Sequence, residues 1–85
     1  MHKVDVCFFA SLREKIGINK ITIEFSGIKT INEIKEIIAV QIKERNALFE
    51  EGIQTSIDFD FARGNSQVDP AKVKEIAFFP PVTGG

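Results

Sequence analysis

The sequence predicts an α+β domain in which a mixed sheet of four to five strands carries one long helix on one face. Two observations predict this class: short apolar segments with strand-like alternation near both ends of the chain, and one longer segment with isoleucines at helical spacing. The chain has 85 residues, of which 44% are hydrophobic, so one modest core is expected. We predict a domain over residues 1–79 and an extended C-terminal tail over residues 80–85.

The N-terminal segment predicts two strands joined by a short helix. β-Branched and aromatic residues dominate Val4 to Phe9, and apolar residues alternate with polar ones from Lys20 to Phe25. Between them, Ser11 and Glu14 have the spacing of a helix capping box, and Gly17 is typical of a helix C-terminus. The residues predicted to face the core are Val4, Val6, Phe8, Ile21, Ile23 and Phe25.

A longer helix is predicted to begin at Thr30, because Thr30 and Glu33 form a second capping box. We expect this helix to run to about Asn46 and to be covered by the sheet along one stripe. The sequence does not assign residues 48–55 and 64–74 beyond a turn at Gly52 and a brief strand around Val68. The stripe consists of Ile34, Ile37, Ile38 and Ile42.

Two further strands are predicted in the C-terminal half. Apolar and polar residues alternate over residues 56–61, and Glu75–Phe79 is a mostly apolar segment whose side chains would alternate between the two faces of the sheet. In the last strand, Ile76 and Phe78 would face the helix, and Ala77 and Phe79 would face the opposite way. The phenylalanines interpreted as core are Phe8, Phe59, Phe61 and Phe78.

This element order favours a ubiquitin-like β-grasp fold, in which the first and last strands are parallel neighbours at the centre of the sheet. A single long helix covers only one face. Phe9, Phe79 and Ala77 would then lie on the open face, at the root of the tail. An exposed apolar patch in that position predicts a docking surface for a partner protein.

Composition argues against several function classes. Eleven basic and twelve acidic residues give a net charge of −1 without a basic block, so we expect neither nucleic acid nor membrane as a partner. One cysteine and one histidine predict no disulfide and no zinc site, and Cys7 is more typical of a small hydrophobic residue than of a sulfur relay. No signal peptide or membrane span is evident, and a cytoplasmic location is predicted.

The C-terminal run predicts a slender, reactive end. Two consecutive prolines favour an extended path, and two glycines leave a carboxylate with no neighbouring side chains. Such an end fits a narrow active site on another protein, although glycines are also common at unstructured termini. The predicted tail residues are Pro80, Pro81, Val82, Thr83, Gly84 and Gly85.

Residues 6–14, the capped helix and residues 75–85 together resemble the small, sulfur-carrier subunit of molybdopterin synthase, in the MoaD/ThiS family of ubiquitin-like proteins. The resemblance implies that a ubiquitin-activating-like adenylyltransferase uses ATP to adenylate Gly85, which is then thiocarboxylated and donates sulfur to a cyclic pyranopterin precursor. It also implies that the large synthase subunit, in a heterotetramer, supplies the catalytic side chains, while this chain binds no cofactor or metal. Phe9, Phe79 and Ala77 are the implied partner interface.

Other functions remain open at this stage. The same chemistry would serve thiamine synthesis or tRNA thiolation, although the Pro80-Pro81 run favours the molybdopterin branch. A ubiquitin-like modifier conjugated through Gly85 is another candidate, but such tails commonly carry arginine where this chain has Val82 and Thr83. A binding module without a covalent step is a further alternative. Family members often have an acidic, glycine-containing turn where residues 72–74 read Lys-Val-Lys, which is a departure near the last strand.

Overall fold

The computed structural model describes residues 2–81, which form seven strands, two α-helices and one 3₁₀ helix. The elements follow one another without long irregular connections. In chain order they are β1 (His2–Phe8), α1 (Ala10–Ile16), β2 (Lys20–Phe25), β3 (Lys29–Thr30), α2 (Ile31–Ala39), the 3₁₀ helix (Arg45–Phe49), β4 (Gln54–Ile57), β5 (Asp60–Ala62), β6 (Gln67–Val68) and β7 (Glu75–Phe79).

The main sheet has the strand order β2-β1-β7-β4-β5. The first and last strands pair in parallel at its centre, and the other neighbouring strands pair antiparallel. Strands β3 and β6 form a separate two-stranded ribbon. A mixed sheet with adjacent, parallel terminal strands confirms the predicted β-grasp fold.

The core lies between the main sheet and the helices. The inward residues predicted for β1 and β7 are all buried, and the rings of Phe8 and Phe78 stack with centroids 6.1 Å apart. Burying each large apolar side chain stabilises the fold by about 1.5 to 3 kcal/mol. The helical residues in the same cluster are Leu12, Ile16, Ile31, Ile34, Ile38, Ile42, Ala47 and Leu48.

One of the two predicted capping boxes is present. The Thr30 hydroxyl accepts the Glu33 N–H at 3.2 Å, and the Thr30 N–H donates to Glu33 Oε1 at 2.9 Å. The box at Ser11 was wrong, because no side chain among residues 2–81 caps α1 and the N-cap is Phe9. Phe9 is held in an extended conformation by its N–H···O bond to Phe78 (3.1 Å), so the helix begins before Ser11.

The second helix is shorter than predicted, since it ends at Ala39 rather than near Asn46. A tight bond from the Gln41 N–H to the Ile38 carbonyl (2.8 Å) closes its last turn. The chain then bends and buries Leu48 through the 3₁₀ helix. In a continuous helix Leu48, two heptads after Ile34, would lie on the same stripe, so the helical pattern does not mark where α2 ends.

The strand predicted over residues 56–61 is instead a hairpin. Asp58 and Phe59, with φ of 46° and 75°, form a two-residue turn between β4 and β5. The turn places Phe61 opposite Ser56, on the face of the sheet away from the core. Phe59 and Phe61 are consequently 85% and 80% exposed, and their assignment to the core was wrong.

Asp58 ties this hairpin to the beginning of β7. Its carboxylate accepts the backbone N–H groups of Lys74 (3.0 Å) and Glu75 (2.8 Å), and its own N–H donates to the Glu75 carbonyl at 2.8 Å. Aspartate tolerates the left-handed conformation better than most residues. The end of β7 opposite the tail is therefore fixed by side-chain and backbone bonds together.

Candidate docking face and tail root

The face of the main sheet opposite the core is called the open face. Strand register aligns Cys7, Ala77 and Ser56 across its centre. Ala77 is only 5% exposed, because its short side chain lies low between the flanking strands. Ala77, one of the predicted interface residues, therefore lies in the recessed centre of the open face and offers little surface to a partner.

Phe9 and Phe79 lie against each other at the tail end of the open face. Their rings stack with centroids 4.8 Å apart and an interplanar angle of 9°. Such a pair contributes about 0.5 to 1.5 kcal/mol beyond the area it buries. Phe9 nevertheless remains 40% exposed, so the stack is open to a partner. The structure brings these two predicted residues together at the position that the strand pairing implied.

Phe61 extends this apolar surface across the sheet, and the sequence interpretation missed it. A shallow depression of about 300 Å³ is lined by Gln54, Phe61, Phe79 and Pro80. The missed signal is Asp58, since aspartate favours the first position of a tight hairpin turn. The apolar patch is defined by Phe9, Phe61, Ala77, Phe79 and Pro80.

The β1–β2 half of the open face is polar. Asp5 accepts a hydrogen bond from the Thr22 hydroxyl at 3.0 Å and pairs with Lys20 at 3.3 Å. Lys3 and Glu24 approach within 3.9 Å. These exposed pairs contribute little stability. They give the open face a charged side and an apolar side, and only the apolar side adjoins the tail.

Cys7 lies between the two halves. Burial, and next a hydrogen bond with Glu75, raise the pKa of its thiol to about 11. At neutral pH the sulfur is therefore a thiol rather than a nucleophilic thiolate. This protonation state fits the prediction that Cys7 is a small hydrophobic residue.

The tail root is the segment Pro80-Pro81, which follows β7 directly. Both prolines are half-buried, and Pro81 lies close to the turn at Gly52, where an added Cβ would be 3.0 Å from the Pro81 Cβ. The predictions for Val82, Thr83, Gly84 and Gly85 concern residues outside those described.

Two kinds of feature are absent from residues 2–81. In that range no helix is long and apolar enough to span a membrane. The same range contains no group of three histidine, cysteine or acidic residues that could hold a metal ion.

The parallel central strands, the one-sided helical layer and the open face define a ubiquitin-like β-grasp protein. Within that class, the chain belongs to the ThiS family, which matches residues 6–85. No curated protein matches the chain.

Solved structures of two archaeal proteins share the fold. SAMP1 from Haloferax volcanii is similar at 22% identity with a TM-score of 0.74, over 98% of this chain and 99% of that one. A second structure of the H. volcanii small archaeal modifier protein 1 has 18% identity and a TM-score of 0.74, over 96% and 100%. A putative molybdopterin converting factor, subunit 1, from Pyrococcus furiosus has 18% identity and a TM-score of 0.70, over 96% and 100%.

Proposed function

We propose that this protein is a sulfur carrier in molybdenum cofactor biosynthesis, acting as the small subunit of a molybdopterin synthase. The observation that carries the proposal is the position of the tail root, which leaves a central strand beside the stacked Phe9 and Phe79. A partner bound to the apolar patch would lie next to the emerging tail. Membership of the ThiS family over residues 6–85 supports the same function.

The reactive group in this proposal is the carboxylate of Gly85. A carboxylate is a poor electrophile, so it first attacks the α-phosphorus of ATP on a ubiquitin-activating-like adenylyltransferase and releases pyrophosphate. Hydrosulfide, or a donor at the same oxidation level, then attacks the acyl carbon and displaces AMP. The product is a C-terminal thiocarboxylate, and ATP is bound by the activating enzyme rather than by this chain.

The apolar patch would dock the large synthase subunit, in a heterotetramer with two copies of each chain. There the thiocarboxylate sulfur attacks an oxygen-bearing carbon of the cyclic pyranopterin precursor, the carbon–oxygen bond breaks, and the oxygen leaves with a proton from the large subunit. Water then adds to the acyl carbon, the carbon–sulfur bond to the carrier breaks, and the Gly85 carboxylate is regenerated. The large subunit provides the acid and base groups. We propose a cytoplasmic location, where ATP and reduced sulfur are available.

A second candidate is a protein modifier. It is favoured by the similarity to SAMP1, which covers 98% of this chain. In that case a lysine amine would displace AMP from the activated Gly85, directly or after transfer through a thiol, and form an isopeptide bond. Carriers for thiamine synthesis or tRNA thiolation would share the thiocarboxylate and differ only in the acceptor.

Intact-mass analysis of the protein from its native cells separates these functions. A carrier shows replacement of one oxygen by sulfur at the C-terminus, whereas a modifier shows isopeptide-linked adducts. Addition of the purified large synthase subunit and pyranopterin precursor then tests whether the pterin is the acceptor of the sulfur. Loss of the sulfur with formation of molybdopterin supports the proposal, and a stable thiocarboxylate under these conditions contradicts it.

A further inference from the structure

The turn at residues 50–52 lies against the tail root. Gly52 has φ of +89°, and a Cβ at this position would lie 3.0 Å from Pro81 Cβ, 3.4 Å from its Cγ and 3.8 Å from its Cα. A contact of 3.0 Å is tighter than nine in ten real Cβ contacts, so Pro81 would have to move by a few tenths of an ångström. The absence of a side chain at Gly52 therefore lets Pro81 pack against the turn without such a shift. We call residues 50–52 the tail seat.

The tail seat is anchored to the body of the domain. Lys15 Nζ on α1 approaches both carboxylate oxygens of Glu50 at 3.2 Å. Just before the tail seat, within the 3₁₀ helix, Leu48 is fully buried in the core. The exposed ion pair adds little energy, but with the buried leucine it fixes the seat between α1 and the core.

The tail root is held from a second direction by the apolar patch. Phe79 stacks on Phe9, and Pro80 borders the depression beside Phe61. Because φ of each proline is fixed, the chain has little freedom to absorb a displacement at Pro81. Four residues follow Pro81, ending with Gly85, and can span at most roughly 14 Å. A change of direction at the root therefore moves the carboxylate relative to a docked enzyme.

We propose that Gly52 is a positioning residue that sets the direction in which the tail leaves the domain. This inference rests on the proposed function, because its consequence is the delivery of Gly85 to an active site. A side chain at Gly52 contacts Pro81, which lies outside the apolar patch that binds the partner. Docking would be retained, and the turnover step would be slowed.

The substitution Gly52→Ala tests this role, with Gly27→Ala as a matched control. Gly27 also has a positive φ, +78°, but no heavy atom of the described residues 2–81, chain neighbours aside, lies within 4 Å of a Cβ placed there. Both variants carry similar backbone strain, and only the first contacts the tail root. We expect Gly52→Ala to lower kcat for sulfur transfer roughly tenfold or more with KM nearly unchanged, and Gly27→Ala to behave as wild type.

A double-mutant cycle identifies the cause. Pro81→Gly removes the atoms that a Cβ at Gly52 would meet, so Gly52→Ala should have little additional effect on kcat in the Pro81→Gly background. Equal effects of Gly52→Ala in both backgrounds would overturn the contact as the cause. Wild-type kcat in Gly52→Ala would overturn the positioning role itself.

NMR amide shifts provide a readout that is independent of sulfur chemistry. Gly52→Ala should shift the amide resonances of residues 82–85 more than Gly27→Ala does. If these shifts appear but wild-type protein never acquires sulfur, the proposed function fails and the positioning role stands. If wild-type protein transfers sulfur while the tail resonances and kcat are unaffected by Gly52→Ala, the positioning role fails alone.

Discussion

The two sides of β7 differ in what their residues do. Ile76 and Phe78 are fully buried against the helices, whereas Phe79 is half-buried and stacks on Phe9 at the open face. Alternation along one five-residue strand thus separates side chains that stabilise the fold from side chains available to a partner. A substitution on one side should change unfolding, and a substitution on the other should change binding.

The largest effect is expected from a change in the C-terminal tail, which is not part of β7. Deletion of Gly85 should abolish sulfur transfer, because the thiocarboxylate donor is removed. The melting temperature should stay at the wild-type value, since a terminal residue contributes little to stability. Reconstituted transfer and thermal unfolding measure the two effects, and residual transfer by the shortened protein would exclude Gly85 as the donor.

On the core side of β7, Phe78→Ala should lower the free energy of unfolding by about 3 to 5 kcal/mol, because it leaves a cavity beside Phe8. Urea denaturation measures this change. Phe79→Ala is the control and should lower the free energy of unfolding by less, about 1 to 2 kcal/mol, because the half-buried ring loses its stack with Phe9 and part of its buried area. Equal costs for the two variants would contradict the division of the strand into two sides.

On the open side, Phe79→Asp should weaken binding of the large synthase subunit by about 2 to 4 kcal/mol, since a charge would be buried in the apolar patch. Isothermal titration calorimetry gives the affinity. Phe59→Asp is a suitable control, because Phe59 is 85% exposed in a turn at the opposite end of β7. If both variants bind like wild type, the partner uses another surface.

Phe61→Ser tests whether the surface that binds the partner extends across the sheet to Phe61. We expect a loss of about 1 kcal/mol in partner affinity and a stability change within about 0.5 kcal/mol, because the Phe61 side chain is 80% exposed. Calorimetry and denaturation on the same preparation measure both quantities. A large loss of stability would mean that the Phe61 side chain stabilises the fold rather than forming part of a binding surface.

The smallest effect is expected from a substitution in the N-terminal capping box of α2. The backbone N–H of Thr30 lowers the pKa of Glu33, so the folded state favours the carboxylate. Its contribution is present above the ordinary glutamate pKa and is lost as the pH falls through the lower pKa of the folded state. In Glu33→Gln, urea denaturation at a series of acidic pH values should show a shallower decline in stability than in wild type. An unchanged acid profile would contradict the capping contribution.

The sequence predicted those features that depend on local pattern. Alternation identified the inward residues of β1 and β7, and the register of these strands implied that Phe9 and Phe79 would meet. The hairpin was missed because Asp58 is followed by Phe59 rather than by the glycine that usually completes such a turn. Without the turn, Phe61 was assigned to the core face of the sheet rather than to the open face.

The tail seat could not have been predicted in the same way. Gly52 was recognised as a turn residue, but its proximity to Pro81 depends on how the 3₁₀ helix packs beside the end of β7. That packing buries Leu48, and α2 ends earlier than its helical pattern indicated. Contacts between segments distant in sequence depend on the complete core.

The most direct test compares the protein with a variant that carries one alanine fused after Gly85. Both are incubated with the activating enzyme, ATP and sulfide, and intact masses are measured. The unmodified protein should exchange one oxygen for sulfur at its C-terminus, and the extended protein should keep its mass. Sulfur incorporation into the untrimmed, extended protein, or none into the unmodified one while the enzyme thiocarboxylates a known carrier, would contradict the role of the Gly85 carboxylate.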